Sequence, residues 1–305
     1  MAQIDGLVVV DKPSGCTSHD VVARCRRVFG QRRAGHAGTL DPDATGILLV
    51  GLGRATRLLQ FFTGLRKVYK GQVVLGVATG TLDASGEVVG TWDMGEVTLQ
   101  QARQAAAILT GPIMQVPPMV SALKVGGRRL HELAREGTEV ERAPRAVTVY
   151  RFDVSSAGRE ASGPVLAIDV ECSAGTYVRS LAADLGAALG GGGHLRNLRR
   201  TAVGPFGEAD AVGLDELVEM VEPRQRVLSP ARACAHLARA QVGPEVAGEV
   251  GHGRVLPVGR LLGEGPRPEG PWAVLGPDGE LLAVYQAHGV GTAKPVVVLA
   301  PASGR

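Results

Sequence analysis

Short segments of strand length and short segments of helix length follow one another along this chain without a regular alternation. Residues 6–10 predict a buried strand, and a capping box at Thr17 and Asp20 begins a helix that ends at Gly30. Two strands around a Gly/Ser turn are predicted over 147–172, followed by a helix. Because a doubly wound sheet needs a repeated strand–helix–strand unit, this pattern favours an α+β fold with a mixed, mainly antiparallel sheet flanked by helices.

The composition of the chain changes after Pro223. From about residue 233 the sequence is rich in Gly, Pro and Val, and short β-like segments such as PWAVLGP and ELLAVYQ are separated by turns. The 305 residues suffice for two domains at about 150 residues each. We therefore predict a larger domain over residues 1–232 and a small all-β domain over residues 233–305.

Composition excludes several classes of protein. Hydrophobic residues make up 45% and charged residues 21%, which is far from the composition of a disordered chain. The apolar run GILLVGLG is shorter than the roughly 18 residues that cross a bilayer, and no secretory segment is recognised, so we expect a cytoplasmic protein without a membrane partner. The cysteines have no CxxC spacing, so neither structural zinc nor a disulfide framework is expected.

Basic side chains are concentrated in the larger predicted domain. Residues 1–200 contain 24 basic and 18 acidic side chains, whereas residues 201–305 contain 9 and 12. The basic residues form clusters within 24–33, 124–129 and 196–200. Such clusters suit a phosphate backbone, although solvated helix faces produce the same pattern.

The segment AGHAGTLDPDATG, residues 34–46, is dense in Gly and Pro and predicts a loop around Asp41. A carboxylate held in this way is suited to act as a nucleophile or a base, and an ordinary Asp-Pro turn is the alternative. Asp43 adds a second alternative, a glycosidase or nucleosidase with paired carboxylates. The spacing disfavours that alternative, because residues two apart in an extended segment point the same way and do not flank a bond.

Four blocks of sequence, in this order, resemble the TruB family of bacterial tRNA pseudouridine synthases. They are GLVVVDKPSGCTSHDVV, GHAGTLDPDATGILLVGLGRAT, VPPMVSALKVGGRRLHELAREG and CSAGTYVRSLAADLG, and together they span about residues 6–189. The resemblance implies the pseudouridine synthase fold and the isomerisation, without a cofactor, of the T-loop uridine at position 55 of tRNA. The C-terminal domain shows a weaker resemblance to a PUA-like RNA-binding module.

The resemblance also implies the residues of a catalytic centre. Asp41 matches the catalytic carboxylate, Arg179 matches the arginine that pairs with it, and Tyr69 matches the tyrosine that stacks on the uracil. The chemistry requires such a cation, because burial alone raises the pKa of a carboxyl group and protonates it. A surface arginine and a strand packing residue are the alternatives for Arg179 and Tyr69.

Further residues match positions that contact the RNA in the family. His36 would stack in the space that a flipped-out uridine leaves, Tyr177 would form a second wall of the base pocket, and Leu198 would lie beneath the base. A plain turn histidine and ordinary core packing are the alternatives. The segment that resembles a mobile RNA-clasping element contributes three basic residues, Lys124, Arg128 and Arg129.

One segment departs from the family pattern. Gly80 stands where the family often carries an acidic residue, whereas Asp83 is retained and is expected to organise hydrogen bonds in the site. The resemblance leaves three chemical routes open, namely attack at C1′, attack at C6 and a glycal intermediate. It implies an enzyme that acts on the T-arm of tRNA, and we expect a monomer without a protein partner. A tRNA-binding folding factor without an essential catalytic centre is the alternative from another class of protein.

Overall fold

Two β-sheets organise the computed structural model, which describes residues 3–121, 124–125, 128–129, 136, 140–263 and 268–299. The strands are β1 Gly6–Lys12, β2 Ala34–Ala37, β3 Thr45–Leu52, β4 Lys67–Leu75, β5 Val77–Thr79, β6 Val88–Thr91, β7 Gly111–Gln115, β8 Lys124–Val125, β9 Arg128–Arg129, β10 Arg145–Glu160, β11 Gly163–Cys172, β12 Gly193–Val203, β13 Phe206–Gly207, β14 Val212–Gly213, β15 Ala238–Gln241, β16 Leu256–Pro257, β17 Trp272–Leu275, β18 Leu281–Ala287 and β19 Thr292–Val298. The α-helices are α1 Ser18–Val28, α2 Gln60–Thr63, α3 Leu99–Ile108, α4 Val178–Ala188, α5 Leu214–Glu219, α6 Pro230–Ala233, α7 Pro244–Gly251 and α8 Val258–Leu262. Short 3-10 helices occupy Gly53–Leu59, Glu208–Asp210 and Pro223–Arg226. Within these described ranges, no helix is long and apolar enough to cross a membrane.

The larger sheet is mixed and mainly antiparallel, which confirms the predicted fold class. Its main path runs β14-β1-β3-β12-β4-β11-β10-β7, with β2 added beside β3 and β13 beside β12. The pairs β1–β14 and β12–β3 are parallel, and the other pairs are antiparallel. The second sheet has the order β15-β17-β18-β19-β16 and contains the β-rich C-terminal segments. The catalytic candidates lie on or beside the central strands β3, β12 and β4 of the larger sheet.

The predicted helix starts are confirmed where local hydrogen bonds determine them. The Thr17 side chain accepts a hydrogen bond from the backbone N–H of Asp20 at 3.1 Å, and the Asp20 carboxylate accepts from the backbone N–H of Thr17 at 2.8 Å. This reciprocal capping box satisfies donors that the first helical turn leaves unpaired. Helix α1 therefore begins where the sequence predicts.

The prediction that residues 34–46 form one loop is wrong at both ends, because a strand occupies residues 34–37 and Thr45 and Gly46 begin β3. Ala34–Ala37 form strand β2, which pairs with β3 in the antiparallel register Ala34 to Leu52 and Ala37 to Leu49. The residues of β3 that pair with β2 lie a dozen or more positions further along the chain. The local sequence, which is rich in Gly, therefore did not indicate a strand. Because β2 is anchored to the sheet, the irregular segment that carries Asp41 is short and enters from a fixed direction.

One apolar core joins the two sheets. Phe62 and Phe206 from the larger part of the chain pack in the same buried cluster as Leu275 and Val284 of the second sheet. Arg54 adds a polar contact, because its Nη1 donates a hydrogen bond to the Leu299 carbonyl at 2.6 Å. The division at residue 232 stays a prediction, and the shared core indicates that the two parts stabilise each other.

Replacement of Phe62 by alanine is expected to destabilise the whole chain. Phe62 is buried and contacts the Phe206 ring edge-on at 5.9 Å, so Phe62→Ala should lower the free energy of unfolding by about 3–5 kcal/mol. Urea denaturation followed by circular dichroism measures this loss. Val221→Ala, at a site with 94% exposure, is the control and should stay within about 0.5 kcal/mol of wild type. Two separate transitions, with only one of them shifted by Phe62→Ala, would contradict the shared core.

Candidate active site

A cavity of about 270 Å³ opens between the Asp41 loop, β4, the start of α4 and β12. This volume lies just below the range of about 300–1,000 Å³ that is typical of pockets for drug-sized ligands, so it suits a group the size of one base. The functional candidates among its lining residues are Asp41, Tyr69, Tyr177, Arg179 and Leu198, together with two cations that the sequence did not single out, Lys67 and Arg200. A second cavity, of about 640 Å³, adjoins the first along Asp41, Arg179 and Leu198.

Asp41 and Arg179 form a bidentate ion pair in this cavity. The Arg179 Nε lies 2.9 Å from Asp41 Oδ2, and its Nη2 donates to Asp41 Oδ1 at 3.2 Å. The Arg179 side chain is 4% exposed, whereas the Asp41 side chain is 42% exposed. Planar forked pairing of this kind fixes the orientation of a carboxylate. One guanidinium therefore holds Asp41 while leaving a face of the carboxylate accessible.

The guanidinium of Arg179 is itself fixed by backbone carbonyl groups. Nη1 donates to the Thr81 carbonyl at 2.9 Å, and Nη2 donates to the Val120 carbonyl at 2.8 Å. Arg179 lies in the first turn of α4, and Gln115 anchors that turn by accepting from the Tyr177 backbone N–H at 2.8 Å. These hydrogen bonds hold the Arg179 guanidinium in one orientation. Its position is therefore fixed before a substrate binds.

Asp83 provides a second carboxylate beside the same guanidinium. Its Oδ2 lies 3.6 Å from the Arg179 Nε, while its Oδ1 accepts hydrogen bonds from the hydroxyls of Thr81 and Ser85 at 2.6 Å each. Asp83 is therefore placed to organise the site through Arg179. At Gly80, an added Cβ would meet only Val89 at 3.7 Å, so available space does not explain the glycine there.

The pKa of the Asp41 carboxyl reflects competing influences. Burial is the largest of them and raises the pKa above its usual value of 3.8, and the nearby Asp83 carboxylate raises it further. Arg179 opposes this rise through its charge and its hydrogen bond, and Lys12 opposes it through its charge. Arg179 is therefore the main group that favours the ionised form of Asp41.

Lys12 is a functional candidate that the sequence reasoning missed. Its side chain is fully buried, and its Nζ donates to the carbonyls of Pro13, Cys16 and Pro42 at 2.9, 2.7 and 2.8 Å. Pro42 directly follows Asp41, so the ammonium group ties the turn after β1 to the Asp41 loop. The DKP sequence after a buried strand was the available signal, but a lysine in a turn normally faces solvent.

Ser18 holds the other side of the Asp41 loop. Its buried hydroxyl accepts a hydrogen bond from the backbone N–H of Leu40 at 2.9 Å and donates to the Leu40 carbonyl at 3.2 Å. Leu40 and Pro42 are thus both anchored, one on each side of Asp41. The loop is irregular in backbone conformation, but its backbone is held in place on both sides of Asp41.

The predicted walls of the base pocket come together around Asp41. Tyr69 on β4 is buried, Tyr177 precedes α4, and Leu198 lies on β12, and all three line the cavity. Burial is the largest influence on Tyr69 and raises the pKa of its hydroxyl, so this group is a neutral phenol at neutral pH. The cavity thus presents aromatic and apolar surface beside one carboxylate.

His36 lies outside the cavity that contains Asp41. It is on β2, its ring contacts His19 edge-on at 5.2 Å, and its Nδ1 is buried without a hydrogen-bond partner among the described residues. Burial, reinforced by His19 and Arg200, lowers the pKa of His36 to about 4. The imidazole is therefore uncharged at neutral pH, which suits stacking on bases.

The low pKa of His36 predicts a measurable loss of stability in acid. Between pH 6.5 and about 4 the unfolded chain binds a proton at His36 that the folded chain does not bind, so unfolding becomes easier as the pH falls. The loss in urea midpoint between pH 7 and pH 5 should be smaller in His36→Gln than in wild type. His288→Gln, at an exposed position of the second sheet, should leave the loss unchanged. An equal loss in wild type and His36→Gln would contradict the neutral imidazole.

The predicted RNA-clasping residues lie on a short β-ladder. Lys124 and Arg129 are register partners in the pair β8–β9, and the Arg128 guanidinium lies 2.5 Å from the Glu136 carboxylate. Gly126 and Gly127, on which the predicted mobility depends, lie outside the described residues. The exposed Arg128 is not among the described residues that line the Asp41 cavity.

Two buried cations next to Tyr69 also escaped the sequence reasoning. The basic cluster at 196–200 predicts that Arg200 contacts phosphate together with Arg196 and Arg199, but its side chain is 1% exposed. Lys67 is also buried, and its Nζ donates to the carbonyls of Thr63 and Leu65 at 2.9 and 2.7 Å. Burial, together with the charge of Arg200, lowers the pKa of Lys67 to about 8. Alternation along β12 separates Arg200 from Arg199 but not from Arg196, because a register shift between Arg196 and Arg199 breaks the alternation there.

Comparison with known proteins identifies the family. Residues 26–178 match the model for the TruB family pseudouridylate synthase N-terminal domain, and residues 179–234 match the tRNA pseudouridylate synthase B C-terminal domain. The tRNA pseudouridine synthase B of Arthrobacter sp. (strain FB24) is 47% identical over 98% of each chain. The enzyme of that name from Mycolicibacterium paratuberculosis (strain ATCC BAA-968 / K-10) is 48% identical, again over 98% of each chain.

Solved structures share the architecture. An H/ACA RNP bound to a substrate RNA containing 2′-deoxyuridine contains a chain with a TM-score of 0.73 and 27% identity, covering 98% of this chain and 86% of that one. A Cbf5-Nop10-Gar1 complex contains a chain with a TM-score of 0.73 and 29% identity, covering 97% of this chain and 84% of that one.

The fold and the site define an isomerase of the pseudouridine synthase class. Family models cover more than half of the chain, and relatives match nearly its full length at 46–48% identity. The chain belongs to the TruB family of pseudouridylate synthases. The resemblance on which the sequence analysis relied is thereby confirmed.

Proposed function

We propose that this enzyme isomerises the T-loop uridine at position 55 of tRNA to pseudouridine. The observation that carries the proposal is the bidentate pair of Asp41 and Arg179 in a cavity the size of one base. The relatives described above are tRNA pseudouridine synthase B enzymes, which supports tRNA as the substrate.

The chemistry needs an anion and a confined base. The bond from C1′ to N1 breaks, the uracil turns, C5 bonds to C1′, the C5 proton leaves and N1 gains a proton, so the product is an isomer of the substrate. Attack at C1′, attack at C6 and the glycal route all begin from an ionised Asp41. Tyr69 and Tyr177 form the walls that hold the detached uracil, and Leu198 lies beneath it. Confinement keeps the free base in place while it turns.

The enzyme must extract the uridine from a folded loop. Unstacking a base costs a few kcal/mol, and a group that occupies the vacated space offsets part of this cost. His36 is suited to that role because its ring is neutral and lies outside the base cavity. Lys124, Arg128 and Arg129 would contact the phosphates, and Asp83 would support the orientation of Arg179.

We also propose that the enzyme works as a monomer on the T-arm, in the cytoplasm where tRNA is found. A monomer suffices for the catalytic pair, because Asp41 and Arg179 meet within one chain. The C-terminal sheet would act as a PUA-like module that recognises the shape of the RNA. Residues 201–305 carry 9 basic and 12 acidic side chains, which argues against binding that depends mainly on charge.

Incubation of the purified protein with an unmodified tRNA transcript tests the proposal. Carbodiimide labelling, followed by primer extension, maps pseudouridine at single-nucleotide resolution. We expect one new stop, at the T-loop uridine, and none in a transcript with cytidine at that position. A stop at another uridine would refute the assigned position. Release of free uracil would favour the nucleosidase alternative.

A further inference from the structure

Strand β12 contains one extra residue where it passes the base cavity. Arg196 is the register partner of Gln72 on β4. The next register pair joins Arg199 to Lys70, so β12 advances by three residues while β4 advances by two. An extra residue of this kind is a β-bulge, which re-aims side chains and is common beside active sites. The bulge contains Leu198, the residue that lies beneath the base in the proposed function.

The bulge determines which face of β12 Leu198 occupies. In a regular strand, residues that are three positions apart point to opposite faces of the sheet. Leu195 and Leu198 are three positions apart, but both pack in the same apolar cluster, and Leu198 also lines the base cavity. Without the extra residue, Leu198 would point to the face opposite Leu195. The bulge therefore brings Leu198 to the cavity.

Asn197 forms the bulge with a left-handed backbone conformation. Its φ is +54°, and among the described non-glycine residues only Leu82 also has a positive φ. Asparagine adopts this region more readily than most residues, whereas β-branched residues are genuine outliers there. Asn197 is the only asparagine in the chain, and it is exposed. Burial of its own side chain therefore does not account for the conformation.

Contacts on both sides hold the bulge in place. On the β4 side, Gln72 Oε1 accepts hydrogen bonds from Asn197 Nδ2 and Arg196 Nε, at 3.1 Å each. Further along β12, an added Cβ at Gly46 of β3 would overlap the Arg200 backbone, so the two strands are in close contact there. The segment between these two anchors is therefore fixed before a substrate binds.

The start of the bulge is also attached to the segment that carries Asp83. The backbone N–H of Leu195 donates to the Leu82 carbonyl at 3.0 Å, and the Leu195 carbonyl accepts from the Ala84 N–H at 3.0 Å. Asp83 lies between these two residues and is close to the Arg179 guanidinium. The residue beneath the base and the support of the catalytic pair are thus connected through one short stretch of backbone.

We propose that Asn197 is a positioning residue for the isomerisation: its left-handed backbone forms the bulge that turns Leu198 beneath the base. The inference rests on the proposed function, because it assigns a role within the same site. Asn197 acts through its backbone conformation and not through contact of its side chain with the RNA. A misplacement of about 1 Å in a reacting site costs about 100-fold in rate.

Two substitutions at Asn197 separate the backbone from the side chain. Glycine lacks the side chain but adopts positive φ readily, so Asn197→Gly should keep the single-turnover rate within about 3-fold of wild type. Valine is strongly disfavoured in the left-handed region, so Asn197→Val should lower that rate about 10–100-fold. Its tRNA affinity should stay within about 2-fold of wild type, because phosphate contacts dominate binding. An equal loss of rate in both variants, or no loss in Asn197→Val, would overturn the proposal.

A double-mutant cycle tests whether the bulge acts through Leu198. Leu198→Ala alone should lower the single-turnover rate about 10–100-fold, because the base is no longer held from below. In that background, Asn197→Val should have no further effect. A full additive loss in the double variant, or a wild-type rate in Leu198→Ala, would overturn the proposal.

Ser155→Val is the matched control, because it places the same side chain in a regular part of a strand. Ser155 is exposed on β10, and its register with β11 runs without a shift from Arg151 to Ser156. Its replacement should leave the single-turnover rate within about 2-fold of wild type. A loss equal to that of Asn197→Val would show that the rate responds to any valine added to the sheet, and would count against the proposal.

A second measurement reads the bulge without catalysis. Because the chain has one asparagine, ¹³C,¹⁵N-labelled asparagine gives one backbone signal, that of Asn197. Its Cα and Cβ shifts, and the coupling between its amide and α protons, distinguish a left-handed from an extended backbone. We expect left-handed values in wild type, and an extended backbone would overturn the proposal even if Asn197→Val does not fold. Absence of pseudouridine in the wild-type assay would refute the proposed function, whereas this signal judges the bulge separately.

Discussion

Asp41→Asn is expected to abolish pseudouridine formation while tRNA binding is retained. The amide has the shape of the carboxylate but no negative charge, so it serves neither as nucleophile nor as base. Loss of such a group lowers the rate by at least about 10⁴-fold. Release of tritium from C5-labelled uridine in tRNA measures the single-turnover rate, and filter binding measures affinity. Binding should change little, because the phosphate contacts that dominate affinity are untouched.

Asp43→Asn is the matched control for this experiment. Asp43 lies two residues further along the same loop, is exposed, and is not among the residues that line the base cavity. Its replacement should change the rate only a few-fold. Unaltered isomerisation in Asp41→Asn would refute the assignment of Asp41 as the catalytic carboxylate. Equal inactivation of both variants would favour the paired-carboxylate alternative.

Arg179→Lys is expected to lower the single-turnover rate about 10²–10³-fold. Lysine retains one positive charge but replaces a bidentate fork, and it leaves the carbonyls of Thr81 and Val120 without their donors. The loss should exceed that of any exposed arginine, because the group removed is buried and holds the catalytic carboxylate. Thermal denaturation of the variant separates a loss of rate from a loss of folding.

The same variant should shift the acid limb of the pH–rate profile to higher pH. Arg179 lowers the pKa of Asp41 against the effect of burial, so a weaker pair allows that pKa to rise further. Asp41 then becomes protonated, and inactive, at a higher pH than in wild type. Profiles of kcat/KM between pH 5 and 8 measure the shift. Arg196→Lys, whose arginine pairs with Glu160 at the surface, should leave the limb in place. An unmoved limb in Arg179→Lys would contradict an electrostatic role.

The parts of the fold that local sequence encodes were predictable. The capping box at Thr17 is present, and the antiparallel pair β10–β11 lies where a Gly/Ser turn separates two apolar segments. The cap depends on residues three positions apart, and the β10–β11 pair is predictable from its local turn, although its strands pair residues as far apart as Val149 and Cys172. Strand β2 was not predictable in this way, because its short Ala-Gly-His-Ala sequence becomes a strand through its pairing with β3.

The residues of the candidate site also fall into those that the sequence predicted and those that it did not. The resemblance to the family assigned Asp41, Arg179 and Tyr69, and the structure places all three at one cavity. Lys12 and Arg200 were missed because a lysine or arginine in a sequence carries no sign of whether its charge is buried. Burial of those two cations depends on carbonyls from Pro42, Gly38 and Ile47, which tertiary packing brings to them.

The sequence by itself determined the mixed α+β fold, the family and the carboxylate on which the chemistry depends. Helix caps, turns and apolar periodicity depend on residues that are close in the sequence, and family motifs are contiguous. Both kinds of signal can therefore be recognised from the sequence alone. Only the tertiary structure decided which charges face water and which lie against Asp41 and Tyr69. The free energy of a buried charge depends on partners that are 30 to 162 positions away in the chain, as for Lys12 with Pro42 and Arg200 with Gly38.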